Sequence, residues 1–538
     1  MSEVVPGWRH RLSRWWQSLR PDPKVGRFIQ YNRQKWPRRS RRSGGTVLIS
    51  LTPHYPTLCS YSVAANHLAR IAGAAIETFS FRAYESPLIT RIYRSFGARH
   101  GLGFEQLKAF QKQAESEADK VFAGLKTKAD VENIAIDGLV IGDLIYDTYL
   151  RLHAEATLNL TDPRLKDVIA EAFSIYHATR EYFERRKPVA VLPDHLVYTH
   201  SGIVVRLAVL AGIPVYLTYF WPRFYLHRQP PAEGDPHALH PGRWRYWLYR
   251  EDFSRLDQER RQAGLLKARE TLRSRLSGVA DHTLGGKATA YSSTSATRVL
   301  STSSKPKILV MLHDFCDAIH GYRDFLFPDF YEWIYFLLER AVATDFEWYV
   351  KPHPNNHHRA RAAMNAANDA VVEELRRKFP TVTFLEPTVS NRQLVDEGLT
   401  AMFTGRGTAG HEFAYLGIPV VNAGDNPHIA YTFNIHPSTT DELADCIRRA
   451  DNLQVQIDPG EIEEFFYMNY LYPHEEHGAE VHPINPTIPL TPDTASNPEL
   501  FNMLIDGSSE DQHRKMTAYF DDLVRKPVAR ELVTASAH

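Results

Sequence analysis

Short apolar runs alternate with helix-length amphipathic stretches, and the alternation occurs twice along the chain. "TVLIS", from Thr46, has a buried-strand pattern and breaks at Pro53 and Pro56. "CSYSVAANHLARIAG" then reads as a helix and "AAIETFSF" as a second strand, a βαβ unit. Residues 82–187 are more polar and mostly helix-patterned. They contain "IDGLVIGDLIYDTYLR", followed by a helix from about Pro163 to Arg186, with Asp162 as its N-cap and Pro163 at its first position. "PVAVLPDHLVYTHSGIVVRLAVLAGIPVYLTYF" predicts strand, loop, a helix over about Ser201–Ala211, and strand. After a charged helical stretch at 251–278 comes a Ser/Thr-rich stretch, Thr289–Ser304, which reads as a linker. The second alternation opens with "KILVML" and a helix around "FYEWIYFLLERAV". It continues with the strand "FEWYV", a helix ending near Phe379, and the runs "VTFL", "LTAMF" and "IPVVN".

This pattern predicts an α/β chain with two tandem Rossmann-like, doubly wound domains. Its expected divisions are an N-terminal arm (1–43), a first domain with a helical insertion (44–250), and a helical segment with linker (251–304). A second domain (305–460) and a tail packing back across the domain junction (461–538) follow. The length of 538 residues suits two or three domains.

Composition narrows the function classes. Formal net charge is zero, so no global field argues for nucleic acid. Cys59, Cys316 and Cys446 are scattered, without CxxC spacing, which fits a reducing compartment and neither a disulfide framework nor a zinc cluster. No apolar run reaches the ~18 residues of a membrane span, and no secretory signal is read at the N-terminus. The expected location is cytoplasmic. Residues 1–42 nevertheless carry twelve Lys/Arg against two Asp/Glu, interleaved with Trp8, Trp15, Trp16 and Trp36. Such basic, aromatic arms are commonly solvated or core-docked, and this one is also fit to lie on an anionic inner-membrane surface.

Open α/β sheets bind ligands at the carboxyl ends of their strands, and that rule selects four loops. In "TGRGTAGHEFAYLGIPVVN", Thr404–Asn422, a glycine-rich turn joins a strand to a short helix over Ala409–Leu416, ended by Gly417 and Pro419. Gly405 and Gly407 permit close backbone approach to a ligand, and Gly407 and Thr408 would offer amides to a phosphate. Arg406 would add a planar cation, with His411 and Glu412 on the first helical turns. Glu412 is suited to accept hydrogen bonds from two ribose hydroxyls. In "YVKPHPNN", Pro352 and Pro354 fix Lys351 and His353 at the sheet edge, where they would neutralise a leaving phosphate. "MLHDFCDAIHGY" supplies His313, Asp314, Asp317 and His320, in a spacing that matches no specific metal pattern. In the first domain, "LPDHLVYTHSG" offers Asp194, His195 and His200, and His54 follows the first strand; each is a candidate base for an acceptor hydroxyl. Asp143 and Asp147 are polar positions in an apolar context that would reach the same region or form a solvated helix face.

No Gly-x-Ser-x-Gly elbow, Walker A loop or GxGxxG fingerprint after the first strand is present. "WYVKPHP" followed by "TGRGTAGHEFAYLGIPVV" resembles the nucleotide-binding half of GT-B glycosyltransferases. The resemblance is nearest to bacterial capsule and surface-polysaccharide biosynthesis proteins, the capsule Kdo-transferase-like group among them. "GDLIYDTYLR", "DHLVYTHSGIVVRLAVLAGIPVY" and "HDFCDAIHGYRDFLFPDFYEWI" extend it, with gaps, from about Thr46 to Pro437. It implies a GT-B-like fold whose two domains face an interdomain cleft, a nucleotide-sugar donor on the second domain, and a glycan or glycolipid acceptor on the first. It implies neither metal nor cofactor. By this resemblance His353 contacts the donor phosphate and Glu412 the ribose. The expected activity is glycosyl transfer from a CMP- or UDP-linked sugar in surface-polysaccharide synthesis. A sugar-nucleotide 2-epimerase, a polymer glycerophosphotransferase and a non-catalytic membrane-associated scaffold stay open beside it.

Overall fold

The computed structural model describes residues 22–36, 45–81, 86–219, 224–228, 246–279, 291, 297–322, 324–353, 362–479, 501–502, 505 and 509–525. The chain divides into two compact units. Residues 1–120, 169–239 and 474–538 form the first, and residues 121–168 and 240–473 the second. In chain order the strands are β1 (Thr46–Ser50), β2 (Ala75–Ser80), β3 (Arg99–Gly103), β4 (Ala135–Ile136), β5 (Leu139–Val140), β6 (Pro188–Leu192), β7 (Tyr216–Tyr219) and β8 (Tyr225–Arg228). They continue as β9 (Lys307–Met311), β10 (Glu347–Lys351), β11 (Thr383–Phe384), β12 (Ala401–Thr404) and β13 (Val420–Asn422).

The first unit has a parallel sheet in the order β3-β2-β1-β6. Val215, just before β7, bridges Val191 in parallel, while β7 and β8 form an antiparallel pair. The helix Tyr55–Ala72 covers this sheet; it starts at the N-cap His54 with Pro56 in its first turn and ends at Gly73 in the left-handed region. Its apolar residues share one core with the helices Pro23–Lys35 and Pro87–Ser95 and with Met516 and Phe520 of Glu510–Arg525. Of the basic arm, the stretch Pro23–Lys35 is thus a helix that buries Val25, Phe28 and Ile29. The tryptophans at 8, 15 and 16 lie outside the described residues.

The second unit has a five-stranded parallel sheet in the order β11-β10-β9-β12-β13. Strands β9 and β12 are buried almost throughout, as their unbroken apolar runs require. Counted within the unit's own sheet this order is third, second, first, fourth, fifth, the doubly wound order, and the winding of successive strands reverses between β9 and β12. Two parallel-sheet α/β units in one chain are the architecture the alternation predicts.

Residues 121–168 of the insertion belong to this second unit. An Asp137–Gly138 turn, with φ of 48° and 80°, closes the hairpin of β4 and β5. The helix Gly142–His153 follows. Its first residue is packed so tightly that a Cβ on Gly142 would stand 2.0 Å from the Val131 carbonyl oxygen, so only glycine fits.

Asp329 ties this insertion to the sheet's first helix. Its Oδ1 caps Phe330–Ala341 by accepting from the Glu332 amide at 2.9 Å. Its Oδ2 accepts from Tyr146 Oη at 2.6 Å, Thr157 Oγ1 at 2.6 Å and Lys128 Nζ at 3.0 Å. A fully buried carboxylate is tolerable only with such partners, and removing it strands them. Asp329→Ala is therefore expected to destabilise the protein by about 3 kcal/mol, with Asp329→Asn losing clearly less. Urea titrations of the purified variants, read as the fall in midpoint, check this.

Candidate functional site

Register builds the candidate site. Lys351 lies beside Met311, Met311 beside Thr404, and Thr404 beside Asn422, so four strands end in one row. Adjacent strands are roughly 5 Å apart. The loops that leave β10, β9 and β12 therefore emerge side by side, and those of β9 and β12 flank the point of reversal.

The turn after β12 is held from beneath by His313. The His313 ring stacks on Phe330, centroids 4.4 Å apart, and its Nε2 accepts from the Arg406 amide at 2.9 Å. Burial, followed by the charges of His353 and Arg406, lowers the His313 pKa to about 3. The ring is thus neutral, an acceptor at Nε2 with its hydrogen on Nδ1. Thr404 Oγ1 donates to the Arg406 carbonyl at 2.8 Å and tightens the turn. Gly407 has φ of 105°, which a side chain would strain. Gly407 and Thr408 are exposed, and the Thr408 side chain makes no capping bond to the helix Ala409–Tyr415.

The two expected cations behave differently from a simple open clamp. Arg406 is buried, and its Nη1 donates to the Ile319 carbonyl. The guanidinium lies over the rings of Phe325, at 4.9 Å, and Tyr322, at 5.5 Å. Burial lowers its pKa to about 10, which leaves it charged at neutral pH. Lys351 is 1 % exposed and donates to Asn391 Oδ1 at 2.5 Å. Its pKa falls to about 8 through burial, opposed by the Glu412 charge. His353 is half-buried at the same edge; residues 354–361 lie outside the described residues.

His411 and Glu412 both point inward. The His411 ring sits among Phe465, Tyr470 and Phe466, at centroid distances of 5.2, 5.8 and 6.0 Å, and burial lowers its pKa to about 4. Glu412 is 3 % exposed and accepts from Arg275 Nε at 2.8 Å through Oε1 and from Tyr291 Oη at 2.8 Å through Oε2. Burial alone would raise its pKa; Arg275, with His411 and Tyr291, holds it below the usual range. Asn391 Nδ2 donates to the Tyr291 oxygen at 3.4 Å, so a chain of contacts runs from Arg275 through Glu412, Tyr291 and Asn391 to Lys351. Arg275, Tyr291 and Asn391 are absent from the residues selected by sequence. Tyr291 in particular sits in the Ser/Thr-rich stretch, where no local pattern marks it.

Among the described residues no group of three or more His, Cys, Asp or Glu is arranged to hold a metal ion. Asp314 is structural: it accepts from the Cys316 amide at 3.1 Å and from Asn368 Nδ2 at 2.9 Å. His320 instead pairs with Asp147, Nδ1 to Oδ1 at 2.7 Å.

In the first unit the loops after β1 and β6 also leave adjacent strands. His54 is the N-cap of its helix, with Nδ1 2.7 Å from Thr57 Oγ1 and 3.3 Å from the Thr57 amide. Asp194 accepts from Ser201 Oγ at 2.8 Å. Burial pushes its carboxyl up, but His195, His200, Ser201 and Ser50 together hold it below the usual range. His195 is exposed, and Tyr198 between them has φ of 65° and ψ of 153°, a region almost reserved for glycine. The structure thus gathers His313, Lys351, His353 and Arg406–Thr408 at one sheet edge, and His54, Asp194 and His195 at another.

No protein family matches the sequence, and no curated protein does. Among solved structures, the chain is similar to the UDP-GlcNAc 2-epimerase of Methanocaldococcus jannaschii in complex with UDP-GlcNAc and UDP. That match has 11 % identity over 78 % of this chain and 97 % of the other, with a TM-score of 0.23. It is similar also to the calicheamicin glycosyltransferase CalG4, at 14 % identity over 90 % and 100 % with a TM-score of 0.19. A glycosyltransferase from Rickettsia africae matches at 9 % identity over 90 % and 100 %, with a TM-score of 0.23. At this level the likenesses say nothing of what this chain does, and a functional reading has to rest on its own residues.

Proposed function

We propose that this chain is a glycosyltransferase that moves a sugar from a CMP- or UDP-linked donor to a hydroxyl of a glycan or glycolipid during surface-polysaccharide synthesis. The observation that supports this best is the row of strand ends Lys351, Met311, Thr404 and Asn422 at a sheet reversal. Doubly wound sheets bind nucleotides at such a reversal. The exposed backbone of Gly407 and Thr408, buttressed by His313, supplies a rigid, close-approach surface for phosphate oxygens. Lys351 and Arg406, both buried, and His353, half-buried, belong to the strand ends and loops at the same sheet edge.

In the proposed reaction the acceptor oxygen attacks the anomeric carbon, the bond from that carbon to the phosphate oxygen breaks, and the nucleoside phosphate leaves as an anion. The positive field of Lys351 and Arg406 stabilises that anion. The acceptor hydroxyl's proton passes to a base; His54, Asp194 and His195 are the proposed acceptor-side groups. Asp194 is the ionised member of that set, and His54 Nδ1 is already engaged in capping. No metal or cofactor enters this scheme, and the basic, tryptophan-bearing sequence ahead of Asp22 is proposed to hold the protein at an anionic membrane surface.

Glu412 serves the ribose in this proposal only by exchange. Its Oε2 now accepts from Tyr291, and a ribose hydroxyl would take that place with Arg275 still on Oε1.

Thermal-shift assays with UDP, CMP and their sugar conjugates test the proposal. A ligand at 100 times its Kd contributes about 2.7 kcal/mol, a rise of roughly 2–5 °C for units of this size. The expected result is such a rise for one nucleotide class in the parent and its loss in His353→Ala and Gly407→Ala. Unchanged shifts in both folded variants would remove the turn from the site. Consumption of the sugar nucleotide without any acceptor, with an epimer as product, would replace transfer by epimerisation.

The exchange at Glu412 makes a separate prediction. Tyr291→Phe removes the hydroxyl that ribose must displace, worth about 1 kcal/mol. UDP or CMP affinity, measured by calorimetry, should rise about fivefold, whereas Glu412→Gln should weaken it.

A further inference from the structure

The insertion reaches the nucleotide turn through one buried carboxylate. Asp147, on the helix Gly142–His153, is 1 % exposed. Its Oδ1 accepts from the Ile319 amide at 3.2 Å and from His320 Nδ1 at 2.7 Å, and its Oδ2 accepts from the His320 amide at 3.3 Å. The same helix adds Arg151 Nη1 to Asp317 Oδ1 at 3.1 Å. Tyr146 packs edge-on against the His320 ring with centroids 5.0 Å apart. Burial pushes the Asp147 carboxyl up while His320 pulls it down; burial would lower the His320 pKa, and Asp147, Glu132 and Asp143 raise it to about 10. The pair therefore keeps a shared proton across the neutral range.

The residue so clamped is the one Arg406 depends on. The Ile319 amide is held by Asp147, and the Ile319 carbonyl accepts from Arg406 Nη1. The Arg406 amide in turn donates to His313, and its carbonyl accepts from Thr404. Asp147, Ile319, Arg406 and the glycine turn thus form one continuous path of hydrogen bonds from the insertion to the proposed phosphate surface. Neither a turn nor a buried arginine needs a helix from elsewhere in the sequence merely to exist. The arrangement is explained by a need to fix the direction of Arg406.

We propose that Asp147 is a positioning residue for nucleotide binding, acting through the Ile319–His320 segment on Arg406 and so on the Gly405–Thr408 backbone. The proposal rests on the nucleotide reading of that turn. It makes the 121–168 insertion part of the donor-binding apparatus, although Asp147 touches no ligand.

The test is a double-mutant cycle on UDP binding with the full-length protein. CMP serves as the second probe, and circular dichroism reports the fold. Asp147→Asn and Arg406→Lys should each weaken binding of the preferred nucleotide about tenfold. The double variant should be no more than about twofold weaker than either single one, because the first substitution acts only through the second position. His320→Gln, which leaves both backbone amides on Asp147, should stay within about threefold of the parent and serves as the milder variant if Asp147→Asn does not fold. Independent effects that multiply to about a hundredfold would overturn the proposal, as would an Asp147→Asn affinity within twofold of the parent. So would a tenfold or greater loss in His320→Gln if Asp147→Asn fails to fold. A parent chain that binds neither UDP nor CMP would overturn the nucleotide reading itself, and this inference with it.

Discussion

One register carries the candidate site. Met311 stands beside Lys351 on one side and Thr404 on the other, and a shift of one residue in either pairing would turn every side chain on that strand to the opposite face. The shift would bury what is now at the edge and expose core. The apolar runs of β9 and β12 forbid it, since both strands are covered on both faces. Placement of His313 and the glycine turn is thus a by-product of core packing. The site needs no special interaction to hold its loops adjacent, only loops whose residues suit a ligand.

What the loops hold is charge, and charge is costly to bury. The second unit answers that cost in two ways. Asp329, Asp147 and Glu412 each accept from several donors, among them backbone amides, hydroxyls and cationic side chains. Arg406 Nη1 donates to one neutral partner, the Ile319 carbonyl, and Lys351 Nζ to another, the Asn391 amide oxygen. A cation solvated by neutral dipoles retains a field that a directly paired cation would lose. The lowered pKa of Lys351, about 8, records its burial, which the Glu412 charge only partly offsets. An arriving phosphate would add negative charge beside it, which is why the proposed function favours these two residues over the exposed lysines elsewhere.

The fold was largely legible in the sequence because its elements are set by local pattern. Asp162 and Pro163 mark the start of Pro163–Arg186, and the apolar runs mark the parallel strands. Strand β3 was not legible: "RHGLG" has a polar start and two glycines, and it is a strand only because β2 lies beside it. The β4–β5 hairpin carried its own signal, Asp137–Gly138 between apolar residues, inside a stretch dominated by helical periodicity. At the site, sequence identified which residues occupy the strand ends but not where their side chains turn. Glu412 meets Arg275 and Tyr291 across 137 and 121 positions, and Asp147 meets His320 across 173. No spacing rule reaches that far, so inward-facing residues read the same as ligand-facing ones.

That distinction bears on how a buried carboxylate near a ligand surface should be understood. A residue whose partners are all protein groups can still matter to binding, either by exchange or by transmission. Glu412 has the geometry for exchange, because one of its partners is a neutral hydroxyl that a ribose hydroxyl can replace at little net cost. Asp147 has the geometry for transmission, because its partners include backbone amides that cannot be replaced without moving the segment. The partner's chemistry, hydroxyl or main chain, therefore separates the two roles more sharply than burial does, since both carboxylates are almost fully covered.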